Sequence, residues 1–191
     1  MNVRNALLAA VALLALAPLA HAAGSYVLDP AKSTLSFHFV QAGAQSEGRF
    51  SKFDVKLALP ENDPASGRLD VTVQVASVDT KDKERDGILR GADLFAVDRF
   101  PTARFTASKI ESKGSDRYEA TGKLTIRDVT RDVTIPFTFR SADGAGQMSG
   151  EFVIKRLQFG VGQGEWKSTE WVGDDVKVSF NLRLVPEKTA S

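Results

Sequence analysis

The period-two alternation of residues 118–139 constrains this chain more than any other feature. On its second arm Val133, Ile135, Phe137 and Phe139 alternate with Asp132, Thr134, Pro136 and Thr138. On its first arm Leu124 and Ile126 stand between Lys123, Thr125 and Arg127. Successive side chains of a strand point to opposite faces, so each arm has one apolar and one polar face. The polar cluster Asp128-Val129-Thr130-Arg131 between the arms reads as a hairpin loop. Pro136 has no N–H to give to a ladder, which predicts a bulge or an unpaired point there. One hairpin is marginal in water. Other strands must therefore cover its apolar face.

The rest of the chain supplies them. Ser25-Tyr26-Val27-Leu28 reads as a first strand, closed by the turn signal Asp29-Pro30. Leu35, Phe37 and Phe39 then alternate with Ser36 and His38, and Ala42-Gly43-Ala44-Gln45 reads as a loop. Phe53, Val55, Leu57 and Leu59 form the next period-two run, followed after a Pro- and Gly-rich turn by Leu69, Val71, Val73 and Val75. Further runs are Ala103, Phe105 and Ala107; Met148, Phe152 and Ile154; and Val176, Val178, Phe180, Leu182 and Leu184, with a frayed tail expected from Pro186 onward. Between the runs, Lys81-Asp82-Lys83-Glu84-Arg85-Asp86 alternates in sign, as a solvated face does. Ile88, Ala92 and Phe95 follow at helical spacing, which predicts a short helix or two turns ending at Phe100-Pro101. An excursion of that length between strands is commonly a lid.

About eight strands with one apolar and one polar face suit an antiparallel barrel or sandwich in water. They do not suit a membrane barrel, whose outer face is apolar. The N-terminal stretch lies outside this pattern. Arg4, an apolar run from Ala6 to Leu16, Pro18 and Ala20-His21-Ala22 have the layout of a signal peptide. The expected mature chain begins at Ala23, after cleavage behind Ala22, and the expected location is the periplasm. Arg4 is the only charged residue of that segment, so its loss takes the formal charge from +1 to zero. A neutral domain with intermixed signs gives no electrostatic case for nucleic acid. We expect one domain from residue 23 to 191.

The chain has no cysteine, so packing and hydrogen bonds alone must hold it together. Of two histidines only His38 follows the signal segment. A His-based nucleophile system could be built only there, and a metal site would have one imidazole and no thiolate. His38 faces away from Phe37 and Phe39 and reads as a rim or surface residue. No catalytic residue and no metal ligand is therefore assigned. Gly160, Gly162 and Gly164 lack the strand-and-helix setting of a phosphate cradle and read as turn chemistry, as does Asp174-Asp175. Trp166 and Trp171 either plug a barrel end or gate one. The chain holds twelve phenylalanines against two tryptophans and two tyrosines. Phenylalanine buries area with no polar group to satisfy, so an interior rich in it favours hydrocarbon over sugars or nucleotides.

Across nearly the whole of residues 23–191 the chain resembles a known protein family. The resemblance rests on Tyr26-Val27-Leu28-Asp29-Pro30 with Ser33, Gln41-Ala42-Gly43-Ala44 and Gly48-Arg49-Phe50. It continues through Arg85-Asp86-Gly87-Ile88-Leu89, Asp93-Leu94-Phe95, residues 100–105 and Gly122-Lys123-Leu124-Thr125-Ile126-Arg127. It ends with Arg156-Leu157-Gln158-Phe159-Gly160, Gly162-Gln163-Gly164-Glu165-Trp166 and the final alternating strand. With its motifs in this order the chain resembles the YceI family of exported, lipocalin-like barrels associated with polyisoprenoid and other long-chain lipids. The chain departs from the family at Ile88, where histidine is frequent, at Leu94, where phenylalanine is, at Gln158, where an acid is, and at Asp128, where glycine is. The last departure suggests a left-handed turn position held by Asp128.

The resemblance implies an all-β fold, an antiparallel eight-stranded lipocalin-like barrel with a short helical lid segment. It implies a binding or carrier protein enclosing an isoprenoid (a polyprenyl or quinone tail) or a fatty-acyl-type lipid, with no other cofactor and no enzymatic activity. A membrane redox partner and a homodimer are further expectations. The alternative is a filled-core interaction module associated with a membrane redox partner, with no ligand cavity, and an enzyme acting on lipids ranks last. The inward-facing residues expected to line a cavity are Phe37, Phe39, Phe53, Val55, Leu57, Val71, Val73, Ile88, Leu89, Phe95, Phe105, Leu124, Ile126, Ile135, Phe137, Phe152, Ile154, Trp166, Trp171 and Phe180.

Overall fold

The computed structural model describes residues 24–60, 63–142 and 144–188. The expected signal segment lies outside them. The strands are β1 (Ser25–Leu28), β2 (Thr34–Gln41), β3 (Ala44–Phe50), β4 (Phe53–Ala58), β5 (Arg68–Gln74), β6 (Val78–Asp79), β7 (Thr102–Gly114), β8 (Arg117–Ile126), β9 (Val129–Ala142), β10 (Ala145–Lys155) and β11 (Asp175–Pro186). One helix, α1 (Lys83–Arg90), lies between β6 and β7.

All ladders are antiparallel, and they close into a barrel of eight strand positions. Three positions are each shared by two short strands. A 3-10 turn at Pro30–Lys32 separates β1 from β2, and β11 pairs with both, Leu184 opposite Leu28 and Lys177 opposite His38. Ser51 and Lys52 separate β3 from β4, and a turn at Val75–Ser77 separates β5 from β6. Each position otherwise pairs with its sequence neighbours, an up-and-down closure that leaves no edge strand through most of its height.

The outer face follows the alternation. Along β8 and β9, Thr121 faces Thr134 at 3.0 Å, Lys123 faces Asp132 at 2.7 Å and Thr125 faces Thr130 at 2.8 Å. Each is a directly opposed cross-strand pair, of the kind that contributes about 0.2–1 kcal/mol to a sheet. An exterior of threonines and ion pairs is the inverse of a membrane barrel's.

Several local expectations are corrected. The β8–β9 loop is the two residues Arg127 and Asp128, and Val129, Thr130 and Arg131 already belong to β9. The left-handed residue is Arg127 (φ 57°), not Asp128. Its guanidinium donates to the carbonyls of Ala92, at 3.0 Å, and Leu94, which offsets the roughly 1–2 kcal/mol that a left-handed non-glycine costs. The residues read as a loop at 42–45 are a tighter turn. Ala42 and Gly43, both at positive φ, join β2 to β3, as in a type I′ hairpin. Pro136 sits opposite Glu119 with no bulge in the β8–β9 ladder, while the β9–β10 ladder ends at Thr138 opposite Ser149. The expected unpaired point at Pro136 is thus present, on the β10 side. Bulges occur instead in β7, near Ser108 and Lys113. Pro186 is the last residue of β11, paired with Tyr26, rather than the start of a frayed tail.

The charge run at 81–86, expected as a solvated face, carries the cap and the first turn of α1. Asp82 caps the helix by accepting from the Arg85 N–H at 3.0 Å. Asp86 is buried and accepts from the N–H and hydroxyl of Thr80, at 2.8 and 2.7 Å. The helix ends at Gly91, so Ala92 and Phe95 lie in the turns that follow. Those turns are tied back by Phe95 N–H to Leu89 O and Ala96 N–H to Gly91 O.

Candidate functional site

The barrel is filled at one end and hollow at the other. At the filled end, where β1 starts and β11 finishes, Leu57, Ile110, Ala120, Phe137, Phe139 and Leu184 are nearly inaccessible to water. Phe137 stacks on Tyr118 at 5.4 Å and Phe139 meets Tyr26 edge-on at 5.2 Å. At the other end a cavity of about 440 Å³ opens. Its floor includes Leu69, Met148 and Leu182, which are both cavity-lining and 4% exposed or less.

Above the floor the wall is carbon on nearly every side. β4 and β5 contribute Phe53, Val55, Val71 and Val73; β7 and β8 contribute Phe105, Leu124 and Ile126. Ile135 comes from β9, Phe152 and Ile154 from β10, Phe180 from β11, and Phe37 and Phe39 from β2. Ile88 and Leu89 of α1, Phe95 of the following turn and Trp166 close over them. These are seventeen of the twenty residues expected to line a cavity. Three are elsewhere. Leu57 and Phe137 lie below the floor, in the packed end, and Trp171 is 66% exposed on the outside of the 156–174 segment. Period two assigns a face but not a height, so it could not separate the two halves.

The wall also holds residues that the alternation did not single out. Phe50 extends an aromatic collar with Phe37, Phe39 and Phe95: Phe37 lies 5.3 Å from Phe50, and Phe50 6.0 Å from Phe95. The collar exists because β3 is made of small residues on its inner side. Gly48 stands opposite Phe37, and a Cβ there would overlap the ring. Gly150 stands in the same relation to Phe180. Each glycine supplies the space its cross-strand aromatic occupies, and glycine opposite an aromatic ring was the signal available in the sequence.

One buried charge organises the hollow end. Arg156 is 4% exposed and uses all its N–H directions on main-chain carbonyls: Gly173, Val161, Trp166, Ser168 and Val172, at 2.8–3.1 Å. Gly162 (φ 129°) leaves room for the guanidinium. Burial lowers the Arg156 pKa, and nearby Asp174 works in the opposite sense. Asp174 also accepts from the Leu157 N–H at 3.0 Å. The 156–174 segment is thus folded around one side chain and then pinned to its neighbours, by Gly162 and Gln163 N–H to Asp93 O and by Ala42 N–H to Trp171 O. Gly160, Gly162 and Gly164 all have positive φ and serve these turns.

The polar residues bordering the cavity are Gln41 at the tip of β2, Asp82 at the cap of α1, Glu84 and Arg85 in its first turn, and Ser36, Arg104 and Arg156. Arg85 pairs with Asp82 at 3.6 Å. His38 is on the outer face, 3.5 Å from the Ser179 hydroxyl and 3.9 Å from Glu47, and does not touch the cavity. Among the described residues no group of three or more His, Cys, Asp or Glu is placed to hold a metal ion, and no helix is long and apolar enough to cross a membrane.

The sequence model of the YceI-like domain matches residues 26–184. The chain belongs to the YceI-like family. A UPF0312 protein of Photorhabdus laumondii is 38% identical over 88 residues, a match covering 46% of this chain and 45% of the relative; the chain thus spans about half the length of that relative. The crystal structure of BcnA from Burkholderia cenocepacia is similar with a TM-score of 0.79 at 36% identity, covering 82% of this chain and 98% of that one. A polyisoprenoid binding domain from Saccharophagus degradans has the same fold, with a TM-score of 0.66 at 17% identity over 85% of this chain and 98% of that one.

Proposed function

We propose that this protein is a lipid-binding barrel of the bacterial envelope that encloses the apolar tail of an isoprenoid or fatty-acyl-type molecule without chemically altering it. The observation that carries this reading is the cavity, about 440 Å³ walled mostly by aliphatic and phenyl side chains. A volume of that size lies within the usual range for small-molecule pockets, about 300–1,000 Å³. Packed interiors leave few voids larger than a water molecule, so an apolar hollow of this extent points to an occupant. A core filled throughout, the competing expectation, describes only the lower half of the barrel. Membership of the YceI-like family and the neighbouring structure of a polyisoprenoid binding domain support the ligand class. The layout of residues 1–22 supports export to the periplasm.

Burial of each methylene contributes about 0.8 kcal/mol, and ordering a flexible chain offsets part of it. Affinity therefore comes from the tail, and discrimination between ligands from the shape of the cavity. The test is extraction of lipid from protein expressed with its own N-terminal segment and purified from the cell envelope. We expect an isoprenoid or acyl lipid in near-stoichiometric amount by mass spectrometry. Protein that carries none and binds no prenyl or acyl lipid added in solution contradicts the proposal.

A further inference from the structure

We propose that the outer wall of the barrel carries a second site, separate from the cavity, that hydrolyses small carboxylic esters, with Ser179 as nucleophile, His38 as general base and Glu47 as the residue that positions the base. The proposal does not depend on what the barrel encloses.

His38 is the one histidine after the expected signal segment, and three neighbouring strands of the outer face bring it between the two groups that such a system needs. His38 of β2 is directly opposite Glu47 of β3, with Nδ1 3.9 Å from a carboxylate oxygen. Its other ring nitrogen, Nε2, lies 3.5 Å from the Ser179 hydroxyl of β11. A carboxylate on the Nδ1 side favours the tautomer with its proton on Nδ1, which turns the Nε2 lone pair toward Ser179. Both distances are long, as is common for catalytic contacts before substrate binds. All three residues stand on paired strands, which hold side chains more precisely than loops do.

Two further features mark the place as a site. Lys177 is directly opposite His38, and it is two residues from Ser179 on the same face of β11. Its ammonium lies 3.8 Å from Glu151, an exposed and loose pairing, so it can turn to a negative charge that develops beside Ser179. A hollow of about 340 Å³ begins at His38 and Lys177 and is walled by Val40 and Val153, with Gln45 and Asp175 beside them. Val40 is 37% exposed and Val153 59%. On an exterior otherwise made of threonines and ion pairs, these two form an apolar wall for a short acyl chain.

The chemistry closes on itself. Ser179 Oγ bonds to the ester carbonyl carbon while its proton passes to His38 Nε2, and the carbonyl π pair moves onto the oxygen beside Lys177. When that pair returns, the carbon–alkoxy bond breaks and the alcohol leaves with the proton from Nε2. Water repeats both steps on the acyl-serine, which releases the acid and restores Ser179 and neutral His38. Ester and water become acid and alcohol. A single mobile ammonium in place of fixed main-chain donors makes this a slow enzyme, suited to esters with good leaving groups.

The experiment is hydrolysis of p-nitrophenyl acetate and butyrate by the purified protein, together with fluorophosphonate labelling read by peptide mass spectrometry. We expect the label on Ser179, and kcat/KM lower by at least about 100-fold in Ser179→Ala and in His38→Gln. Glu47→Gln should lower kcat by at least about tenfold with KM unchanged, and Glu47→Asp should restore part of it. Val153→Ser should raise KM for butyrate by about threefold and leave that for acetate nearly unchanged. These four positions do not line the cavity, so each variant should melt and carry lipid as the wild type does, which shows that it is folded. Equal hydrolysis by wild type and Ser179→Ala, or folded wild type that neither hydrolyses the esters nor takes the label at Ser179, overturns the proposal and leaves the lipid-binding reading intact.

Discussion

At the scale of single residues, two positions make the hollow end possible, and neither is apolar in the ordinary sense. Gly48 holds the phenyl collar open by giving Phe37 the space over β3. Gly48→Ala should push that ring inward, destabilise the fold by about 1–3 kcal/mol as overpacking does, and weaken lipid binding. Denaturant titration and a binding assay on the same variant check this. Arg156 acts from the opposite side, as the hub of five carbonyls that belong to otherwise irregular chain. Arg156→Met would strand those buried acceptors, so we expect a loss of about 3–5 kcal/mol in equilibrium unfolding. Arg156→Lys should recover only part of it, since a lysine has three donors and no planar fork. Wild-type stability in Arg156→Met would show that the network does not hold the segment.

At the scale of elements, strands whose inner face carries large apolar side chains were plain from periodicity, and those whose inner face is small were not. The arms of the 118–139 hairpin fall where their alternation put them. By contrast β3, Ala44–Phe50, presents Ala44, Ser46, Gly48 and Phe50 on the side it shares with Phe37 and Phe39. Its inner face is small because the neighbouring rings already cover it, so the hydrophobic signal of one strand is carried by the next. Helix α1 was misplaced for a related reason. Its start depends on the cap Asp82 and on Asp86 folding back to Thr80, which hydrophobic spacing does not register. The Arg156 hub was illegible because five carbonyls leave no trace in side-chain identity. The β7–β8 end shows a local electrostatic device: Glu111 lies 2.6 Å from Lys109 and 2.9 Å from Lys113, and their hydrogen bonds hold its pKa down to about 2, from 4.5. A depressed carboxylate contributes its stability above the unfolded pKa and loses it as the pH falls through the folded one. The carboxyl carbon of Glu111 should therefore remain in its ionised form at pH 3.5 by NMR; a midpoint near 4.5 would mean the lysines do not hold it.

At the scale of the molecule, the barrel divides its labour along its axis. The closed end supplies the buried area that a cysteine-free domain needs to fold, and that solidity lets the other end remain hollow. Enlarging a wall residue of the hollow half should accordingly cost binding more than folding. Val73→Trp should shorten the accepted tail, and unchanged bound-lipid lengths in a folded variant would contradict this. The two tryptophans report directly on whether an apolar chain enters the barrel, because Trp166 lines the cavity and Trp171 is outside it. Trp171→Phe leaves Trp166 as the sole tryptophan of the chain. Titration of that variant with a sixteen-carbon alcohol brominated in mid-chain should quench the Trp166 emission saturably, with one ligand per protein, and unbrominated alcohol should reverse the quenching. Emission that stays unquenched while the protein remains folded would contradict an apolar chain inside this barrel.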